Sequence, residues 1–345
     1  MQTFTAKPCA DLSGKPATLA DVAREAGVSA ATVSRVLNSK LAVPITPETE
    51  NRIREAAERL QYRPNALARA LATRHTYTIA LFTREMTDPH FAQMLPPVEA
   101  ELRARGYRLA VCSDTEGLLT EGRVDGAILL ADPTGQEPTF GRLPIPTVFV
   151  WSARVPLPNC VTWDDVAGAA LAVGHLASLG HRAIVGLFGD YPEDGTIADK
   201  VAGYRAAMAT VPGSVAIEWR GALSADQFEN GCLLTRNALQ NDRNWTAIFA
   251  RNDYLALGAA RAIREAGIAI PEDVSIVGYN DTILARVADP PLTSVLTPIA
   301  EAGALAAARL VEAIEVRRRT VPGVTLSVSL TDRRSCAVVR EPGRG

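Results

Sequence analysis

The chain has few of the residue patterns that catalysis or metal binding requires. Its five cysteines include no Cys-x-x-Cys pair and are odd in number, so they predict neither a disulfide framework nor a zinc site. The four histidines show no ligand spacing, and neither a nucleophile elbow nor a phosphate-binding glycine loop is present. We therefore predict that the protein is not an enzyme and has no catalytic residue, cofactor or metal site.

Long apolar runs are also lacking. No apolar stretch approaches the roughly 20 residues of a transmembrane helix, and the segment MQTFTAKPCADLSGKP contains no apolar core of a signal peptide. These absences predict a soluble, cytoplasmic protein with no membrane partner, and a disordered tail over residues 1–17. With 345 residues, of which 47% are hydrophobic, the chain is long enough for two or three domains.

Positive charge is concentrated near one end, although the net charge is only −2. Residues 18–75 contain nine lysines and arginines but six acidic residues, and the remainder is net acidic. A basic end on an acidic body is typical of a protein that binds a polyanion such as nucleic acid. Ordinary solvated surface charge would give the same distribution, so the charge alone leaves both interpretations open.

The segment TLADVAREAGVSAATVSRVLN has the pattern of two short helices around a tight turn. Thr18 can cap the first helix, and Gly27 permits the chain reversal because glycine tolerates positive φ. Ser29 can cap the second helix, and a third helix is predicted over residues 47–61. Together these elements predict an all-α helix-turn-helix domain over residues 18–63.

The second of these helices has the composition of a DNA-reading helix. Small residues at its start would let it lie deep in a major groove, and Arg35 could read a guanine through a bidentate contact worth about 1–3 kcal/mol. Ser29 and Asn38 suit phosphate oxygens. A small helical bundle with no role in DNA binding would show the same geometry, since two helices around a glycine turn are common. The residues predicted to contact DNA in this segment are Thr18, Ser29, Ala30, Ala31, Thr32, Ser34, Arg35 and Asn38.

Two segments resemble the lac repressor (LacI/GalR) family. DVAREAGVSAATVSRVLN resembles the DNA-reading segment of that family, and YRPNALARALA, residues 62–72, resembles its hinge helix. The resemblance implies a hinge over residues 64–76 that folds on DNA and inserts a leucine into the minor groove, which kinks the duplex. Leu71 matches that leucine, and Ala68 and Asn65 match its companions. Without the resemblance, Leu71 would be an ordinary apolar linker residue.

The rest of the chain alternates strand-like and helix-like runs. Alternating β and α units imply parallel sheets covered on both faces, so the α/β body is predicted to form two doubly wound subdomains with a ligand cleft between them. The predicted strands cover residues 78–82, 108–112, 126–130, 147–150, 184–188, 216–219, 247–250 and 275–278. The predicted helices include residues 165–179, 200–209, 226–239 and 253–266.

The body resembles the sensor of the same family, which is related to periplasmic sugar-binding proteins. The matching runs are VDGAILL, GHLASLGHRAIVGLFG, AIFARNDYLALGAARAIREAGIAIPEDVSIVGYND and DPPLTSV. The resemblance implies a periplasmic-binding-protein-like sensor over residues 77–340, with a first subdomain at about 77–162 and 293–324 and a second at about 163–292 and 325–340. The three crossings between the subdomains are predicted near residues 161–164, 292–296 and 324–327.

The resemblance also implies an effector site, which this sequence alters. Family pockets use an arginine ahead of a Gly-aromatic pair, an Asn-Asp pair and an aspartate after a late strand. Here these positions hold Lys200, Asn252 with Asp253, and Asn280, so a planar guanidinium and a carboxylate are both replaced. Polar groups at converging strand ends suit a sugar, and Trp151 could stack on a sugar face, or it could be a partly exposed core aromatic. The predicted ligand-binding residues are Trp151, Lys200, Asn252, Asp253 and Asn280.

Two departures concern the architecture of the first subdomain. The loop DTEGLLTEGR, between Cys112 and Val124, is short for a parallel crossover, so one face of the subdomain is predicted to be abbreviated. Pro96 and Pro97 interrupt FAQMLPPVEAELRARG and predict either a kink or a helix that begins at Pro96. The resemblance assigns this helix to the dimer interface.

The resemblance thus predicts a homodimeric transcriptional regulator, a repressor on family grounds, that binds a pseudo-palindromic operator in double-stranded DNA. A small molecule in the sensor cleft, a carbohydrate, would change its operator affinity. Two alternatives stay open: a solute-binding protein with no gene-regulatory role, and a DNA-binding regulator with a non-sugar or lost effector. The missing signal peptide and the basic helix-turn-helix count against the first alternative.

Overall fold

The computed structural model divides the chain into two units, Met1–Thr76 and Tyr77–Gly345. Most of the predicted tail and of the predicted hinge lie outside the residues that it describes. The described residues are 17–37, 45–63, 70, 73, 75–84, 86–113, 117–131, 143–153, 157–190, 196–241, 244–318 and 320–339.

Three helices lie in residues 17–37 and 45–63 of the first unit. They are α1 (Leu19–Ala26), α2 (Ala30–Leu37) and α3 (Pro47–Arg59), as the helix-turn-helix prediction requires. Gly27 ends α1 in the left-handed conformation at φ 64°, where its N–H group donates to carbonyl groups of the last turn. The helices bury one apolar cluster, whose fully or nearly fully buried members are Val22, Ala23, Ala26, Val33, Val36, Ile53, Ala56 and Ala57.

Two six-stranded sheets form the second unit, which confirms the predicted fold class of two doubly wound subdomains. The first sheet is parallel throughout and has the order β11-β5-β4-β3-β1-β2. Its strands are β1 (Thr78–Phe82), β2 (Arg108–Cys112), β3 (Gly126–Leu129), β4 (Thr147–Ser152), β5 (Cys160–Trp163) and β11 (Val324–Leu326).

The second sheet has the order β12-β10-β9-β8-β6-β7 and is parallel except for β12, which runs antiparallel to β10. Its strands are β6 (Ala183–Gly189), β7 (Val215–Arg220), β8 (Ala247–Ala250), β9 (Ser275–Tyr279), β10 (Thr293–Leu296) and β12 (Ser329–Thr331). The central strands β6, β8 and β9 are buried almost throughout, because helices cover both faces of the sheet.

Helices follow the strands in both subdomains. Of the helices in the described residues, four belong to the first: α4 (Pro89–Ala92), α5 (Leu95–Ala104), α6 (Gly117–Thr120) and α12 (Ile299–Glu315). Five belong to the second: α7 (Asp165–Ser178), α8 (Thr196–Thr210), α9 (Gln227–Leu239), α10 (Asp253–Glu265) and α11 (Ile283–Val287). Within the described residues, no helix is long and apolar enough to cross a membrane.

The chain crosses between the sheets three times, but three predicted boundaries are wrong by a few residues. Trp163 still pairs within the first sheet, so the first crossing follows it. Residues 293–296 form β10 and pair with β9, so they belong to the second subdomain rather than the first. Residues 325 and 326 pair with β5 and belong to the first. Each crossing therefore lies just beyond a strand end, because the chain can leave a sheet only after its last residue with a paired strand neighbour.

Both architectural departures appear in the structure. The connection after β2 contains only the four-residue helix α6, whose Leu119 is fully buried against the sheet, so the crossover is short, as predicted. Helix α5 begins at Leu95, which puts Pro96 and Pro97 in its first turn. There the missing N–H groups have no intrahelical partner to lose, so the outcome is a new helix rather than a kink.

Helices α9 and α10 pack unusually closely at two glycines. A Cβ atom on Gly258 would lie 2.0 Å from the carbonyl oxygen of Phe228, and one on Gly231 would lie 2.5 Å from that of Leu255. Both neighbours are backbone atoms, so the two helices touch main chain to main chain. Only glycine permits this approach.

Candidate DNA-binding face and effector site

The second helix of the N-terminal unit presents an exposed face. Ala30, Ala31 and Arg35 are exposed, whereas Val33 and Val36 are buried in the core of the unit. The exposed side chains are small at the start of the helix, and the arginine lies in its last turn. A helix of this shape and charge can enter a major groove, where the guanidinium can reach a base edge.

Caps hold the two helices in place. Ser29 Oγ accepts a hydrogen bond of 3.1 Å from the Thr32 N–H group, and the Thr18 N–H group donates to the Asp21 carboxylate at 2.9 Å. These hydroxyl residues therefore have a structural role. Their contact with DNA stays a prediction, as does that of the half-exposed Ser34. The other predicted DNA contacts, namely Asn38, Asn65, Ala68 and Leu71, lie outside the described residues.

The second candidate site lies where charged groups of the two sensor subdomains face each other beyond the carboxyl ends of the strands. Burial raises the pKa of Asp88, which precedes α4, and the charges of Lys200 and Arg251 in the second subdomain oppose that rise. These three groups are therefore close enough to interact across the subdomains. In open α/β sheets, ligands bind in the crevice outside the carboxyl ends of the strands. We define the candidate effector site by Asp88, His90, Trp163, Asp165, Lys200, Arg251, Asn252, Tyr279 and Asn280.

Lys200 lies at the centre of this site, on α8. Its Nζ atom is 3.9 Å from Asp165 Oδ2 and 4.1 Å from the centre of the Tyr279 ring, and it donates to the Arg251 carbonyl oxygen at 3.4 Å. Burial lowers the pKa of Lys200, while the charge of Asp165 acts against that change. The ammonium group is thus held in place by a carboxylate, a carbonyl oxygen and an aromatic face, and it can still direct a donor toward a ligand.

Asp165 joins the site to the first crossing between the sensor subdomains. Its Oδ1 atom accepts hydrogen bonds from the Trp163 indole N–H group at 3.0 Å and from the Tyr279 hydroxyl at 2.7 Å. Its side chain is 1% exposed, and burial together with the Asp165 charge raises the pKa of Tyr279 well above its usual value. A Cβ atom on Gly168 would lie 2.0 Å from the Tyr279 hydroxyl, so glycine makes room for this hydrogen bond.

His90 connects the same cluster to the second crossing. Its ring lies edge-on to Trp163, with centroids 6.2 Å apart, and its Nδ1 atom is 3.4 Å from Thr297 Oγ1. Burial, aided by the charge of Lys200, lowers the pKa of His90 to about 3. The imidazole is therefore neutral near pH 7. It joins two of the crossings between the sensor subdomains without adding a charge.

The predicted Asn-Asp pair divides into two roles. Asn252 caps α10 by accepting from the Leu255 N–H group at 2.9 Å, and its amide donates to Gln227. The carboxylate of Asp253 is turned into the protein, where it accepts hydrogen bonds from Ser294 and from both the N–H and hydroxyl groups of Thr282. Burial raises the pKa of Asp253 to about 6. Its geometry is that of a structural residue, and a ligand contact there stays a prediction.

The other two predicted ligand residues lie at strand ends. Asn280 follows β9 with φ 92°, a left-handed conformation that asparagine tolerates better than most residues, and it is buried. Trp151 is half-buried near the carboxyl end of β4, beside Thr162 of β5. The structure thus brings Lys200, Asn252 and Asn280 to the carboxyl end of the second sheet and Trp151 to that of the first.

Sequence reasoning missed six residues of the effector site. The missed residues are Asp88, His90, Trp163, Asp165, Arg251 and Tyr279. Four of them lie at a strand end or just after it, in the runs TWDD, ARND and GYND, so a search of strand ends for polar and aromatic residues could have found them. The hydrogen bond from Tyr279 to Asp165 joins residues 114 positions apart, which no local pattern reveals.

Comparisons with known proteins match both units. Residues 18–65 match the family described as bacterial regulatory proteins, lacI family, and residues 173–336 match a periplasmic binding protein-like domain. The chain is 36% identical to the HTH-type transcriptional regulator DegA of Bacillus subtilis over 306 residues, which is 83% of this chain and 88% of DegA. It is 34% identical to the ribose operon repressor of Escherichia coli over 84% of this chain and 91% of that repressor. These relatives are named as regulators, not as enzymes.

Solved structures are similar in fold. A lac repressor dimer bound to operator and to an anti-inducer superposes with a TM-score of 0.79 at 29% identity, over 94% of this chain and 100% of that one. A ribose-bound LacI family regulator from Enterococcus faecium superposes with a TM-score of 0.65 at 27% identity, over 76% of this chain and 100% of that one. The capped helix-turn-helix, the paired parallel sheets and the extent of these matches lead to one assignment: the chain belongs to the lacI family of bacterial regulatory proteins.

Proposed function

We propose that the protein is a transcriptional repressor that binds a pseudo-palindromic DNA operator as a homodimer and changes its operator affinity when a carbohydrate binds the effector site. The observation that carries this proposal is the exposed face of α2, which ends in Arg35. The names of the relatives support repression, and the ribose-bound neighbour supports a sugar effector. A solute-binding protein with no regulatory role would have no use for the three-helix unit, so that alternative is not favoured.

The proposed mechanism uses the cluster that joins the effector site to the crossings. Trp163 and Thr297 lie at two of the three connections between the sensor subdomains, and both contact His90. A ligand that binds one subdomain angle better than another shifts the population toward that angle. Such a shift would move the crossings and thereby the start of the sensor, to which the predicted hinge is joined. Because the target is chromosomal DNA, the proposed place of action is the cytoplasm.

Replacing Arg35 with alanine should relax the base preference at one position of each operator half-site. A bidentate arginine–guanine contact discriminates against other bases by about 1–3 kcal/mol, which is roughly a fivefold to 150-fold preference. The measurement is selection from a random-sequence duplex pool, with the wild type and the variant sequenced in parallel. Arg54→Ala is the control, since Arg54 is an exposed arginine on α3 that pairs with Glu50. An Arg35→Ala profile identical to that of the wild type would refute the base contact.

The proposed dimer makes use of an exposed apolar face on α11. Ile283 and Val287 are one helical turn apart and are 49% and 68% exposed. The neighbouring lac repressor structure is a dimer. Val287→Glu should therefore weaken self-association at least tenfold in sedimentation equilibrium, because a buried charge without a partner is unfavourable. Val338→Glu, at a site 70% exposed, is the control. Equal dissociation constants for both variants and the wild type would contradict a dimer through α11.

A further inference from the structure

Four charged side chains at the effector site cancel one another. Lys200 and Arg251 come from the second subdomain, Asp88 comes from the first, and Asp165 follows the first crossing. The pKa of Lys200 responds to all three of the others: Asp165 and Asp88 raise it and Arg251 lowers it, which places them within electrostatic range of one ammonium group. Two positive and two negative charges leave this group of residues with no net charge.

The pair of Lys200 and Asp165 is the most deeply buried part of this arrangement. Their side chains are 11% and 1% exposed, and Nζ and Oδ2 are 3.9 Å apart. The other carboxylate oxygen accepts only neutral donors, from Trp163 and Tyr279. The charge of Lys200 is therefore balanced from within the protein, before any ligand arrives.

The other acids near the site do not alter this balance in favour of an anion. Asp164 and Asp199 act on Tyr279 and add only negative charge. Asp253 also lies within electrostatic range of Lys200, but its carboxylate is occupied by hydrogen bonds from Thr282 and Ser294. When ionised, the Asp253 carboxylate adds a negative charge and no positive one. An entering phosphate or carboxylate would thus meet no uncompensated positive charge among these residues, and it would lie close to two or three carboxylates.

We infer that the effector is an uncharged, hydroxyl-rich molecule and that Asp165 is the residue that discriminates against its phosphorylated or carboxylated forms. This inference rests on the proposed function, because it names the chemical class of the proposed carbohydrate. A hydroxyl group both donates and accepts, so it suits a site in which ammonium and amide donors alternate with carboxylate and amide acceptors. A fully ionised phosphate or carboxylate group can only accept, and it would compete with the existing charge pairs.

The test is Asp165→Asn in the full-length chain. Asparagine keeps the shape of the side chain and keeps Oδ1 as an acceptor for Trp163 and Tyr279, but it leaves Lys200 without its counter-ion. We expect the affinity ratio between a sugar phosphate and the corresponding free sugar to rise by about tenfold or more, since one neighbouring negative charge is removed at short range. Asp88→Asn should shift the ratio in the same direction from the opposite subdomain, and its side chain can still cap α4.

Ribose is compared with ribose 5-phosphate, and glucose is compared with glucose 6-phosphate and with gluconate. Binding is measured by calorimetry and by thermal shift. Glu218→Gln is the matched control, because it removes one negative charge from the same subdomain at an ion pair with Arg205 and Arg220, on the outer strand β7. Its ratio should equal that of the wild type. A merely structural role of Asp165 would weaken free and charged sugars alike and leave the ratio unchanged.

The outcomes separate this inference from the proposed function. Wild-type binding of a free sugar, with the ratio shifted in Asp165→Asn and Asp88→Asn only, supports the inference. Wild-type preference for a phosphate or gluconate, or an unchanged ratio in Asp165→Asn, overturns the inference but leaves a carbohydrate effector in place. Binding of no sugar, charged or uncharged, by the wild type overturns the carbohydrate effector of the proposed function, and the inference with it.

Discussion

Gly258→Ala should lower the free energy of unfolding of the sensor by about 3 kcal/mol. The new methyl group would lie 2.0 Å from the carbonyl oxygen of Phe228 and 2.8 Å from the amide nitrogen of Cys232. Both are backbone atoms of α9, so no side chain can rotate away, and α9 and α10 must separate. That separation loosens the contact of Gly231 with Leu255 as well, because the same two helices make it. Thermal and urea unfolding of the wild type and the variant measure the effect.

Gly174→Ala is the matched control for this prediction. Gly174 is also inside a helix, α7, but a Cβ atom there would meet no atom within 4 Å. Alanine is better than glycine in a helix interior by about 0.5–1 kcal/mol, so this variant should be as stable as the wild type or slightly more stable. If both variants unfold at the same denaturant concentration, the close approach of the helices is not what Gly258 provides.

Strands bounded by polar turns could be predicted from the sequence, and three strands beside the crossings could not. The apolar run at residues 247–250 lies between polar turns, and it forms β8 with the predicted bounds. The strands β10, β11 and β12 have only three or four residues and lie beside the crossings. Their pairing depends on a sheet assembled from distant parts of the chain. The pattern of their own residues therefore does not identify them as strands.

The effector site shows the same limit at the level of side chains. Lys200 could be found because the family resemblance points to the residue ahead of a Gly-aromatic pair, but its partner Asp165 lies 35 residues away in another helix. Asn252 and Asp253 are adjacent in the sequence, yet Asn252 caps α10 and contacts Gln227, whereas the side chain of Asp253 turns inward to Ser294 and Thr282. Residue type and spacing predict which groups converge at a strand end. Which groups neutralise one another depends on tertiary contacts.

The small N-terminal unit should be the most sensitive part of the protein to a core mutation. Ile53 is 0% exposed, lies on α3 and belongs to the only cluster of apolar residues that the described part of this unit contains. Truncating a buried isoleucine to alanine costs about 2–5 kcal/mol. A domain of this size has roughly 3–5 kcal/mol of stability from its core. The truncation should therefore remove most or all of the stability of the unit.

Ile53→Ala should therefore reduce operator affinity about tenfold or more while effector binding to the sensor is unchanged, because both half-sites of a dimer need a folded unit. Fluorescence anisotropy on a selected operator duplex measures the first quantity, and calorimetry with the effector measures the second. Glu55→Ala, at an exposed position on the same helix, is the control and should bind the operator as tightly as the wild type. A parallel loss of effector binding in Ile53→Ala would show that the two units do not fold independently. An unchanged operator affinity would show that α3 does not support the DNA-reading helix, and the proposed role of α2 would then have to be given up.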